Sequence, residues 1–264
     1  MLAFVLTACG SAASPRTVVG EATTPTIAPL AADVIVWQVV EGPGFTTLEF
    51  ALSVQPTITV YGDGRLLVQE LDESNLGQTP IQLQEGQLSQ QEVDDLRRAA
   101  DESGLFTGAE VDFGSPGISD VGTTTVTAVN AAGDPVSVSA YALGSDNGVT
   151  RRQQELRHQL DQLVKASLQA VPETMPMTPT RLAVIGLDES TGGSQAPAVG
   201  WPGTSHAALF AGQGDLPCAL LPKDETADVY SAALDNPGHH WRDTDGRFSA
   251  LVKIVVPGTP PCPS

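Results

Sequence analysis

Residues 55–70, QPTITVYGDGRLLVQE, leave the backbone few choices. Ile58 and Val60 alternate with threonines, Gly62-Asp63-Gly64 offers positive φ for a tight turn, and Leu66 to Val68 returns. The stretch predicts a β-hairpin. Asp63 is therefore a turn residue before it is a ligand. A second hairpin is expected from residues 123–129 and 136–143, around Ala131-Ala132-Gly133-Asp134. Hairpins pair their strands antiparallel, which sets the kind of sheet.

Two helices carry their own boundary signals. In residues 88–104 (LSQQEVDDLRRAADESG), Ser89 and Glu92 form a capping box, and Leu88 and Val93 stand at the positions of a hydrophobic staple. Val93, Leu96 and Ala100 mark its buried stripe, and Gly104 is placed as the C-terminal cap. The second helix spans residues 151–170 behind a Thr150–Gln153 capping box, with Leu156, Leu160, Leu163 and Val164 on one face and Pro172 as its stop. Residues 33–40 (DVIVWQVV), 181–187 (RLAVIGL) and 248–256 read as strands, the last introduced by an Asp245-Gly246 turn. A short helix is expected over residues 225–234, with Asp224 as its N-cap.

Hairpins and helices follow one another without βαβ alternation. That order predicts an α+β fold, antiparallel sheet hairpins with two helices packed on one face. The aperiodic VPETMPMTPT (171–180) marks a boundary. The expected organisation is an α+β domain over 33–170, a Pro-rich linker over 171–180, and a smaller α+β unit over 181–264.

The chain has 264 residues and a net charge of −18, from 31 acids against 13 bases. Nucleic-acid binding needs clustered Lys and Arg, and the chain has three lysines. The Arg97-Arg98 and Arg151-Arg152 pairs sit among acids on the helices and read as solvated faces. Surface acidity serves solubility first. Beyond the first eight residues no apolar run approaches the roughly 18–20 residues that span a bilayer.

The N-terminus reads MLAFVLTACGSAAS. Small residues flank a nucleophilic thiol at Cys9, with Leu6 three positions before it. This resembles the lipobox of bacterial lipoproteins. The resemblance implies diacylglyceryl transfer to Cys9 and cleavage before it by signal peptidase II, with residues 1–8 as the remnant of a signal peptide. A signal peptide also carries a basic n-region, absent from Met1 to Ala8, so the reading frame is expected to start upstream. Residues 9–32 then form the lipidated cysteine and a Ser/Ala/Thr/Pro tether, whose ~23 residues reach about 25 Å. Each buried methylene contributes about 0.8 kcal/mol, and two or more acyl chains make a stable anchor. The expected location is the outer face of the bacterial cytoplasmic membrane.

In such a compartment disulfides persist, and Cys218 and Cys262 are an even pair. A bridge closes a loop of about 45 residues, for which the chain-entropy model gives roughly 4 kcal/mol. The alternative is two buried free thiols. Neither CxxC nor histidine spacing suggests zinc.

Catalytic motifs are missing. Gly192-Gly193-Ser194-Gln195-Ala196 and Gly203-Thr204-Ser205-His206-Ala207 fall short of a GxSxG elbow, and no lysine completes SxxK. There is no phosphate-cradling loop. His158 reads as a solvated helix residue, His239-His240 as a loop feature, and His206 as standing alone. Asp112 and Asp120 bracket DFGSPGISD, a loop with the oxygen donors calcium uses, although Asx-turns are their simpler role. Asp243-Thr244-Asp245-Gly246 starts like an EF-hand loop, then fails the pattern at Arg247, Phe248 and Ile254, and reads as a hairpin turn.

The YGDGRLLV turn, the LSQQEVDDLRRAADESGLF helix, the DFGSPGISDVGTTTVTAV stretch, Cys218, Trp241-Arg242 and Pro261-Cys262 together resemble an uncharacterised family of exported bacterial lipoproteins. Where that family often has Gly-Gly-Phe, this chain has Gly42-Pro43-Gly44-Phe45. The resemblance implies an anchored, exported α+β protein and carries no functional residues across. The expected function is non-enzymatic binding or an envelope role, with no cofactor and an unidentified envelope protein or ligand as partner. Two alternatives stand beside it. A carboxylate-dependent exported hydrolase requires Asp63, Asp112, Asp120 and His206 to converge in one pocket. A calcium-stabilised module requires a melting point that follows the metal.

Overall fold

A computed structural model describes residues 30–70, 80–130, 132–187, 197–236 and 238–263. Cys9, residues 1–8 and the tether up to residue 29 lie outside the described residues. The chain runs through β1 (Ile35–Gly42), α1 (Leu48–Ser53), β2 (Ile58–Tyr61), β3 (Arg65–Gln69), β4 (Leu83–Gln87) and α2 (Gln90–Ser103). β5 (Thr123–Val129), β6 (Pro135–Tyr141), α3 (Arg151–Gln169) and β7 (Met175–Pro176) follow. The remaining elements are β8 (Leu182–Leu187), β9 (Val199–Gly200), α4 (His206–Leu209), β10 (Cys218–Leu220), α5 (Thr226–Leu234), β11 (His240–Asp243) and β12 (Gly246–Ile254). The strands form a seven-stranded sheet in the order β6-β5-β1-β2-β3-β4-β7 and a five-stranded sheet in the order β10-β8-β12-β11-β9. Every pairing is antiparallel except β9 with β11.

Both capping boxes are closed. Ser89 Oγ accepts from the Glu92 N–H while the Ser89 N–H donates to Glu92 Oε2 at 2.7 Å, and Thr150 and Gln153 repeat the exchange. Gly104 ends α2 at φ 67°, where a Cβ is unfavourable. In the first hairpin Asp63 Oδ1 accepts from the Arg65 N–H at 3.0 Å, and Ile58 faces Val68 across the ladder.

Register sorts the first sheet into two faces. Trp37 opposes Val60 and Ala128, and Val39 opposes Ile58 and Val126, so these side chains share one face. They bury there against Val93 and Ala100 of α2 and Leu160 and Val164 of α3. On the other face Tyr61, Leu67 and Leu83 join Leu182, Val184, Phe248 and Val252 of the second sheet in a common core. The Tyr61 hydroxyl donates to Pro257 O, and Gln55 Nε2 to Ile254 O. Burial pushes the Tyr61 phenol up to about 12, opposed by the Arg65 guanidinium 4.2 Å over its ring. Residues 171–180 contribute β7, paired on β4, and Met177, buried in this second core.

The C-terminal unit carries the Cys218–Cys262 disulfide, with Cα atoms 5.8 Å apart. Three expectations need correction. Arg97 is buried rather than solvated, because it falls on the Val93–Ala100 stripe of α2. Asp224 is not the cap of α5; a 3₁₀ turn over Lys223–Glu225 leads into the helix without a side-chain cap. His240 belongs to β11, paired with Ser249, rather than to a loop.

Candidate functional site

An open groove of about 520 Å³ lies between α3 and the loops at one end of the first sheet. Val121, Leu143, Val164 and Leu168 give it apolar walls, and Glu41, Asp161 and Lys165 line it as well. Lys165 is paired with Asp161 at 2.7 Å. Glycines make the space. A Cβ on Gly44 would collide with the Asp120 carbonyl, and one on Gly122 with the Gly42 carbonyl, so these backbones touch directly. Gly144 instead faces the opening, with nothing within 4 Å of where its Cβ would stand.

The wall formed by residues 142–145 is held from beneath by Arg157, which is fully buried. Its Nε donates to Ser145 O at 3.0 Å, Nη1 to Phe113 O, and Nη2 to Tyr141 O and Ala142 O. A planar fork of five donors meets four converging carbonyls, which a lysine has no way to match. Asp146 lies 3.6 Å from Nε. Burial lowers the Arg157 pKa and Asp146 opposes that shift. Ala142 is held at φ 48°, rare for a residue with a Cβ.

Apolar side chains are exposed next to this lining: Val121, itself a lining residue, is 38% exposed, and Phe45, which follows the lining Gly44, is 90% exposed. Contact between Gly44 and the Asp120–Val121 backbone brings the Phe45 loop beside the loop carrying Ile118 and Val121. The Tyr141 hydroxyl fixes that second loop by donating to Ile118 O at 2.9 Å. The Gly42-Pro43-Gly44-Phe45 stretch thus supplies both a lining and an exposed aromatic.

None of the four polar residues singled out from the sequence lines this groove. Asp63 serves its own hairpin. Asp112 accepts from the Gly114 N–H at 2.8 Å and from Gln153 Nε2 at 2.9 Å, and these bonds hold its carboxyl below the usual range. Asp120, at φ 63°, accepts from the Ser119 hydroxyl. Among the described residues none of the four bonds to another, and Asp112 and Asp120 belong to no group of three potential metal ligands.

His206 does not stand alone. Pairing of Trp241 with Val199 and Arg242 with Gly200 draws residues 199–206 toward the end of β11. There Asp243 Oδ2 accepts from the His206 N–H at 2.6 Å and lies 2.9 Å from Nδ1. The imidazole stacks on Phe248 with centroids 4.7 Å apart. Trp201, Trp241 and Phe248 pack edge to face behind it. Glu225 fixes the same loop through the Thr204 N–H and hydroxyl, at 2.7 and 2.6 Å, and fills the space a Cβ on Gly203 would need. His206, Asp243 and Asp245 offer ligand atoms within 4.8 Å of one another. However, Asp243 also accepts from the Asp245 and Gly246 N–H groups, as the hairpin turn requires. Its carboxylate therefore works as a clamp between loop and turn. Desolvation acts to raise its pKa, and the bonds from His206 and Asp245 outweigh it and bring it below the ordinary value.

Arg157 left a sequence signal, since it shares the 157–160–164 stripe of α3. The His206–Asp243 pair, 37 residues apart, left none. The chain matches no protein-family model, no curated protein and no solved structure.

Proposed function

We propose that this chain is an exported binding protein, held by lipid on Cys9 at the outer face of the bacterial cytoplasmic membrane, whose groove and apolar rim take a partner in the cell envelope. The observation that carries the binding reading is Phe45, an aromatic side chain 90% exposed at the rim of an open groove. A solvated phenylalanine whose loop lies against that of the exposed Val121 offers apolar area for a partner to cover. The Cys218–Cys262 disulfide supports an oxidising compartment. Among the described residues no helix is long and apolar enough to cross a membrane.

Photo-cross-linking tests the binding site. A benzophenone side chain replacing Phe45 in intact cells should give one discrete adduct, and Gly144→Leu, which fills the groove, should abolish it. The same probe at the exposed Met175 serves as control. Equal adducts from both positions would count against the groove.

A second reading, an exported hydrolase, is favoured by one observation: Asp243 holds His206 Nδ1 in the manner of an oriented general base. Ester hydrolysis by the purified protein that disappears in His206→Gln would carry that reading instead.

A further inference from the structure

Among the described residues each sheet has two edge strands, and three of these four are short. β7 and β9 have two residues each and β10 has three. β6 has seven, PVSVSAY, and among the described residues no strand pairs with its outer side. Long edges are normally blunted by charge, by an interior proline or by a bulge. Apart from Pro135 at its first position, β6 carries none of these: residues 136–140 are uncharged in a chain of net charge −18, and their pairing with β5 runs without a register shift.

The strand is also self-complementary about Val138. An antiparallel copy related by a two-fold axis there would oppose Ser137 with Ser139, Val136 with Ala140, and Pro135 with Tyr141. Asp134 would oppose Ala142, so no like charges meet. The two faces also continue. Within one chain Thr127 bonds Ser137 at 2.7 Å and Thr125 bonds Ser139 at 2.9 Å, on the exposed face. Across the axis each row gains a further Ser–Ser step, giving Thr127–Ser137–Ser139–Thr125. On the helix face, Val126 and Val138 meet their symmetry mates in a continuous apolar row. Cross-strand hydroxyl and β-branched pairs of this kind are what stabilise an antiparallel ladder.

We infer that β6 is the contact of a homodimer, in which two seven-stranded sheets join antiparallel about Val138 into one continuous sheet. The occupant is a second copy rather than an arbitrary extended peptide, because the match is between the strand and itself.

Sedimentation equilibrium of the full chain, from micromolar to hundreds of micromolar, should show a monomer–dimer equilibrium. The double variant Ser137→Lys/Ser139→Lys places like charges directly opposite and should weaken dimerisation by about tenfold or more. Ser137→Glu/Ser139→Glu should do the same, and mixing the two variants should restore the dimer. Amide exchange of the unsubstituted protein is the second measurement: protection over residues 136–140 should rise with concentration. A protein monomeric throughout, with β6 exchange independent of concentration, overturns the inference and leaves the edge to an extended partner. A dimer that survives both double variants, or variants whose mixture stays monomeric, overturns it too.

Discussion

Arg157, buried in the N-terminal half of α3, donates to the carbonyl oxygen of Ala142, the residue held at φ 48° where β6 turns into the groove wall. A buried cation thereby stabilises a strained loop, and the loop in turn shapes the groove. Removing the guanidinium would leave the Ser145, Phe113 and Tyr141 carbonyls without this donor and the Ala142 carbonyl with the Ser145 N–H alone. Arg157→Leu is predicted to cost about 3 kcal/mol in urea unfolding, within the range for breaking a buried charged network. Arg157→Lys should recover little of it, since an ammonium lacks the planar fork.

The disulfide gives a second prediction. Cys218 and Cys262 are 44 residues apart, and opening that loop in the unfolded chain costs roughly 4 kcal/mol on the entropy model. Reduction, or the Cys218→Ala/Cys262→Ala variant, should lower the melting temperature and loosen β10 on β8 first, as read by amide exchange.

Acid stability follows from Asp243. Its folded pKa is depressed, so its contribution is complete above the ordinary aspartate value near ~3.9 and is lost as pH falls through the folded value. Asp243→Asn should be less stable than the parent at neutral pH and should show a flatter acid limb, measured as unfolding free energy against pH.

His239 acts over a higher window. Burial first, and then His240, push its imidazole below the usual histidine value. The unfolded state therefore binds more protons between the folded value and ~6.5, and stability rises with pH across that interval. His239→Asn should remove this rise. Asparagine is chosen because position 239 has φ 58°. An unchanged pH slope in the variant would contradict the assignment.

Much of the fold was written locally. The capping boxes of α2 and α3, the Gly104 stop, the Asp63 hairpin and the Asp243–Gly246 turn each need only neighbouring residues, so their spacing in the chain was enough. What escaped depended on tertiary partners. Arg97 looks like a solvated helix charge until its stripe is covered in the fold. His206 looked solitary because its partner arrives through the parallel β9–β11 pairing. The groove was illegible for a related reason: it arises where glycine backbones from residues 42–44 and 120–122 touch, and no local period records that contact.

Everything proposed for the groove presumes a body displayed outside the membrane on a lipid tail. The most direct test is the intact, non-reduced mass of the protein extracted from membranes. The account predicts a chain beginning at an acylated Cys9, with Cys218 and Cys262 two hydrogens lighter than the thiols. An unmodified Cys9 in a protein recovered from the soluble fraction would contradict it.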